Sequence, residues 1–157
     1  MFTKFEAIVR RSSENTRHAE QNGEGLHPFD TRNIHPEISK VSLKLFDDGH
    51  YSQATFETFK YIDKKVAKLS GKLKKTGVSL MLDVFQEKNP SIQLTNLSTS
   101  SEIDEQKGFS FLFAGSTSAI RNPRGHEVGN LDTVDQCLDH LSLASFLLRR
   151  LGDRVTP

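Results

Sequence analysis

Pro36-Glu-Ile-Ser-Lys-Val-Ser-Leu-Lys-Leu-Phe-Asp-Asp-Gly-His-Tyr51 is the stretch that decides the fold. Ile38, Val41, Leu45 and Phe46 recur at i, i+3, i+7 and i+8, the stripe of a helix with one buried face. Pro36 brings a fixed φ and no N–H, which suits the first position of a helix. Asp48-Gly49 breaks the run, and from Tyr51 the pattern resumes, with Tyr51, Thr55, Phe59, Ile62, Val66 and Leu69 on one face. So short a connection predicts an antiparallel helical pair.

Downstream, Gly77 to Gln86 is apolar nearly all round and predicts a short buried helix. Lys88 to Ser101 is a loop by composition, with Ile92, Leu94 and Leu97 turned to the core. Ser101-Glu-Ile-Asp104 has capping-box spacing and opens a further helix, whose expected inner face is Phe109, Leu112, Phe113, Ser116 and Ile120. Asn122-Pro123 is expected to stop it, because proline lacks the N–H and disfavours the α region for the residue before it. Gly108 and Gly115 cost about 1 kcal/mol each against alanine in a helix interior, and their spacing puts them near one face where another helix or chain can approach. Asn130 is the expected N-cap of a last helix, with Asp132 behind it, carrying Val134, Cys137, Leu138, Leu141, Ala144, Phe146, Leu148 and Leu151. Arg149 and Arg150 suit its C-terminal dipole and Gly152 ends it. Cys137 lies in the apolar stripe and reads as a core residue.

Upstream, Leu26 to Pro36 contains two His-Pro steps and reads as an extended loop. His27 and His35 are too few for a zinc site, and no cysteine lies near. Phe2, Phe5, Ile8 and Val9 predict an amphipathic helix from Thr3 to about Glu20. The expected organisation is an N-terminal helical arm over 1–25 and a helical domain over 26–157. The fold class is therefore all-α, a compact bundle of about four to five main helices plus the N-terminal one.

The chain has 157 residues, 35% hydrophobic and 26% charged, with a formal charge of +1. That fits one soluble domain and gives no global pull toward nucleic acid or an anionic membrane. A single cysteine excludes an intramolecular disulfide framework. No apolar run is long enough to span a membrane and the charged start lacks a signal-peptide core, so the expected location is cytoplasmic, with no membrane partner.

Candidate chemistry gathers in Arg121-Asn-Pro-Arg-Gly-His-Glu127. The Arg121 guanidinium is a planar fork of donors matched to a phosphate, Asn122 donates and accepts, and His126 can serve in either proton role near neutrality. Arg124 and Glu127 are accessory candidates, Arg124 as a grip on a neighbouring phosphate. A second candidate is basic: Lys60, Lys64 and Lys68 fall at i, i+4 and i+8, with Lys72, Lys74 and Lys75 following. Such a row can line a polyanion such as RNA, or simply keep a helix face soluble.

Arg121-Asn-x-x-x-His126 is an R-x4-H motif with a polar residue after the arginine, at the end of a penultimate helix, and it resembles the HEPN superfamily. Leu26-His-Pro with His35-Pro, Leu45-Phe-x-x-Gly-His-Tyr, Leu80-Met-x-x-Val-Phe, and Leu112-Phe-x-Gly115 through Arg121 to Glu127 are together similar to its Ymh-type family, from about Leu26 onward. The resemblance implies a helical bundle with metal-independent endoribonuclease activity and no cofactor or metal. It implies Arg121 and His126 as the motif pair, with Asn122 at its polar position. It also implies a homodimer with a composite active site, and a role as toxin or abortive-infection effector against phage, with an antitoxin or other defence partner. A non-catalytic module that binds RNA or protein through the same cleft remains the alternative, as does, with less support, a nucleotide-binding helper for a separate enzyme.

Overall fold

The computed structural model describes residues 25–126 and 132–155, all-α throughout with no strand among them. The helix expected over Thr3 to Glu20, and residues Glu127 and Asn130, lie outside the described residues. Seven α-helices follow in order: α1 (Pro28–Thr31), α2 (Pro36–Asp47), α3 (Tyr51–Ser70), α4 (Gly77–Val84), α5 (Ser100–Ser116), α6 (Asn122–His126) and α7 (Val134–Gly152). A π-helical segment, Thr117–Arg121, joins α5 to α6.

α2 and α3 form the expected antiparallel pair, turning at Gly49 with φ 80°. α3 is the hub, because α2, α4, α7, the π segment and α6 all pack on it. Its buried residues, Ala54, Thr55, Thr58, Phe59, Ile62, Asp63, Val66 and Ala67, cover more than one face, as a central helix requires. Leu138, Leu141, Ala144, Leu147, Leu148 and Leu151 of α7 complete the core from the other side.

Leu26 to Pro36 is less extended than expected. His27 and His35 each cap a helix, their Nδ1 atoms accepting from the backbone N–H of Phe29 and Glu37 at 3.1 Å. Each His-Pro step is therefore an N-cap followed by proline at the first helical position, which leaves one fewer orphan N–H at that end.

α4 begins at Gly77, whose φ of 70° favours glycine. Its N–H donates to the buried Asp63 carboxylate of α3 at 2.7 Å, an acidic group where the helix dipole favours one.

The α5 cap lies two residues earlier than Ser101-x-x-Asp104 predicted. Thr99 accepts from the Glu102 N–H at 3.2 Å, and Glu102 accepts from Thr99 N at 3.1 Å and Ser98 N at 2.7 Å. The inner face of α5 also differs: Gln106, Ser110, Phe113 and Ala114 are buried, whereas Leu112 is 45% exposed. The reason is Gln106, which is wholly buried and satisfies the loop before α5. It accepts from Leu94 N at 2.8 Å and donates to Phe85 O at 3.2 Å and Ile92 O at 3.0 Å. Three backbone groups of an irregular segment thus share one amide, and Ile92 and Leu94 are seated in the core beside it. The last helix is capped by Thr133 in a capping box with Gln136, not by Asn130.

Replacing Gln106 by leucine keeps the volume but leaves those three backbone groups without a partner. We expect a loss of about 3 kcal/mol in stability, measured by urea unfolding; a change within 0.5 kcal/mol, the scale of ordinary surface substitutions, would contradict this account of the loop.

Candidate active site at the end of the long helix

Asn122-Pro123 does not end the helix. Asn122 has φ −64° and ψ −46°, within the α region, and its N–H bonds to Thr117 O, five residues back. The widened π turn shifts the ladder by one residue, giving the pyrrolidine ring room that a regular α turn lacks, and α6 continues to His126. The motif therefore sits on a rod and not in a loop. Asn122 and His126, four apart, share one face of α6, and Arg121 and Gly125 share the adjacent one.

That second face packs on Phe56 of α3. The Arg121 guanidinium carbon lies 5.8 Å from the ring centroid, and Lys60 Nζ lies 5.6 Å from the same ring. A Cβ at Gly125 would stand 2.7 Å from Phe56 Cε2, closer than real Cβ contacts, so glycine there lets the ring lie under the arginine. Arg121 Nη1 donates to Asn122 Oδ1 at 3.2 Å, while its buried Nε has no partner among the described residues. His126 is exposed and has no partner among them either.

Arg124 has another role than the one expected. Its Nε and Nη2 both donate to Asp132, the former at 2.7 Å, and its Nη1 donates to Ile120 O at 2.8 Å. The side chains of Arg124 and Asp132 are 9% and 2% exposed. With its donors so engaged, Arg124 is not a phosphate grip; it ties α6 to the start of α7. Asp132 N donates in turn to Ser52 Oγ of α3 at 2.6 Å. His140 Nδ1 lies 3.5 Å from Asp132 Oδ2, too far for a hydrogen bond of normal geometry, and the Thr55 hydroxyl is buried beside them.

Burial alone would raise the Asp132 carboxyl, but its hydrogen bonds from Arg124 and the charges of Arg124 and His140 outweigh that and hold it below the usual range. Burial and the neighbouring Arg124 charge lower His140, against the pull of Asp132. Burial pushes the Cys137 thiol up to about 11, so it is a core residue and no nucleophile at neutral pH.

Of the other candidates, Lys60 reaches the motif through Phe56 and pairs with Glu57 at 3.2 Å, whereas Lys64 and Lys68 are exposed farther along α3. Glu127 lies outside the described residues. Sequence reading missed Phe56, Gly125, Ser52 and His140 and took Asp132 for a helix-start residue, because all but Gly125 come from other elements of the fold. The glycine after Arg124 was the one local signal. Among the described residues no three His, Cys, Asp or Glu side chains gather as a metal site would need, and no helix is long and apolar enough to cross a membrane.

An all-α fold with an R-x4-H pattern on its penultimate helical rod is thus the class that the described residues define. The family model "Protein of unknown function (Hypoth_ymh)" matches residues 32–151, and the chain belongs to that family. The match takes in the blocks from Leu45 to Tyr51, Leu80 to Phe85 and Leu112 to Glu127, and leaves Leu26-His-Pro outside it. No curated protein and no solved structure matches the chain.

Both depressed groups act in the same direction with pH. His140 binds a proton more readily once unfolded, so its contribution to stability falls as pH drops below its ordinary value of 6.5. Asp132 adds a further loss below its ordinary 3.8. The melting temperature should therefore decline between pH 6.5 and 5, and His140→Phe should make that limb shallower, with His35, which burial also lowers, supplying the remainder; an unchanged limb in the variant would show that His140 is not a source of it.

Proposed function

We propose that this protein is a metal-independent endoribonuclease of HEPN type. The observation that carries the reading is the contrast between two neighbouring arginines. Arg124 is committed to Asp132, while Arg121 is held over Phe56 with a buried Nε lacking a partner, beside Asn122 and one turn from the exposed His126. A phosphodiester would accept from the Nη donors that Asn122 leaves free.

RNA carries its own nucleophile. The 2′-OH attacks the adjacent phosphorus, forming the O2′–P bond as the P–O5′ bond breaks, and leaves a 2′,3′-cyclic phosphate and a 5′-OH. His126 takes the 2′-OH proton, a contribution of about 10²–10⁴-fold for a positioned base. Arg121 stabilises charge on the phosphorane-like transition state, where loss of one such donor costs about 10²–10³-fold. Asn122 orients the 2′-OH or the imidazole. The 5′-oxygen needs a proton in return, and one histidine per chain cannot be base and acid in the same step.

A homodimer remedies this, with His126 of a second copy as acid in a composite site. The outer face of α5 supports the dimer: Gly108, Phe111, Leu112 and Gly115 are all exposed, Phe111 by 59%, and the exposed face runs on through Ser118 and Ala119 toward Asn122. A Cβ at either glycine meets nothing within 4 Å, so packing among the described residues does not require them. A second helix approaching closely does. Such an enzyme suits a toxin or abortive-infection effector restrained by an antitoxin or other defence partner.

Purified protein should cleave RNA in EDTA to 2′,3′-cyclic phosphate ends, and Arg121→Ala or His126→Ala should each lower the rate at least about 100-fold with unchanged melting. Chelator-sensitive cleavage, or activity surviving both changes, would sink the reading. RNA bound but left intact over long incubation would favour the non-catalytic module.

The dimer has its own check. Gly115→Leu should leave the chain folded yet shift sedimentation from two chains to one and lower cleavage. An active monomer would contradict the composite site.

A further inference from the structure

We propose that α3 carries a phosphate track, formed by Lys60, Lys64 and Lys68, along which a single RNA strand runs away from the Arg121 site. It rests on the ribonuclease reading only for the choice of RNA over another polyanion.

Contiguity comes first. Arg121 and Lys60 share the Phe56 ring, so the lysine row begins at the motif and not on an unrelated face. Successive lysines one turn apart rise by about 6 Å along the helix axis, so Lys68 lies about 12 Å beyond Lys60.

Charge balance comes second. Of the nearby lysines, Lys65 pairs with Glu37, and Lys72 and Lys75 both pair with Asp83, at 2.6 and 2.7 Å, whereas Lys74 has no acid among the described residues. Lys64 and Lys68 are exposed and have no acidic partner among the described residues. Two unpaired cations in line with a half-paired third make a local positive strip on a chain whose net charge is +1.

The surface between them comes third. Tyr61, Lys64, Lys65, Lys68 and Leu69 line an open cleft of about 410 Å³ with a mostly apolar wall. Tyr61 and Lys65 are fixed there by Glu37, to which both donate. Burial and the Glu37 carboxylate push the Tyr61 hydroxyl up to about 12, so the ring stays neutral. A firm aromatic and aliphatic floor with exposed cations at its rim suits a splayed base below and phosphates above. That is how single strands are held, and a duplex would present no free base to the floor.

The test is binding of fluorescent single-stranded RNA of 4 and 12 nucleotides to the full chain carrying His126→Ala, in EDTA, across a salt series. Lys64→Ala/Lys68→Ala should weaken the 12-mer about tenfold at low salt and reduce the magnitude of its log–log salt slope by about 1.4. The 4-mer should be unaffected. Lys44→Ala/Lys88→Ala, which removes equal charge from residues that do not line the cleft, should bind the 12-mer as the parent does. A 12-mer affinity unchanged by the track substitutions, equal loss in the control, or no strand binding by the parent would each overturn the track. Binding through the track by a wild-type protein that leaves RNA intact would defeat the ribonuclease reading and leave the track standing.

Discussion

The Arg124–Asp132 pair holds the functional end of this protein together. Two charges taken out of water cost several kcal/mol each in desolvation, and only close, multiple hydrogen bonds offset that. Here they are present: Asp132 receives two donors from one guanidinium, the third donor goes to Ile120 O, and the Asp132 backbone is tied to Ser52. One pair thereby joins α6, α7 and the hub helix α3. Removing either partner strands a buried charge, a loss of about 3–5 kcal/mol in such cases. The orientation of α6, and with it of Asn122 and His126, depends on that pair more than on the local sequence.

Phe56 acts as the second anchor. It is not catalytic in any chemical sense, but its ring faces Gly125, Arg121 and Lys60 together. A guanidinium resting on an aromatic face keeps its edge available for hydrogen bonding, because the attraction uses the face of the cation. Glycine at 125 is then a packing requirement set by a ring on another helix.

Much of the fold was legible because burial here follows helical periodicity. The α2–α3 pair, α4 and α7 were readable from Ile38 to Phe46, Tyr51 to Val66, Leu80 to Val84 and Leu138 to Leu151. The same pattern misled on α5, where a buried amide stands among the apolar residues. Gln106 is inside because the loop of Ile92 and Leu94 needs its hydrogen bonds, and no periodicity of apolar residues can register that demand. The Thr99-Ser-Ser-Glu-Ile-Asp104 run offers two overlapping capping boxes. The chain uses the one with glutamate, whose longer side chain reaches back to two N–H groups. Asn122-Pro123 was a sound stop signal for a regular helix. The π turn, which makes it passable, leaves no mark in a single sequence.

The candidate site was half legible for a related reason. Residue type identified Arg121, Asn122 and His126, because phosphate and proton chemistry demand those side chains. It could not separate Arg121 from Arg124, since both are arginines on the same short helical stretch and differ only in what lies opposite. Across from Arg124 stands a carboxylate only 2% exposed; across from Arg121 stands a ring with no acceptor. An arginine whose hydrogen bonds are made inside the fold is a structural member, and one that keeps Nη donors free is, on the proposed reading, the binding group. The two roles are coupled, since the pair formed by Arg124 sets the position of the turn that presents Arg121. Charge placement in this short segment therefore divides one residue type between holding the site and operating it, a division that only the third dimension makes.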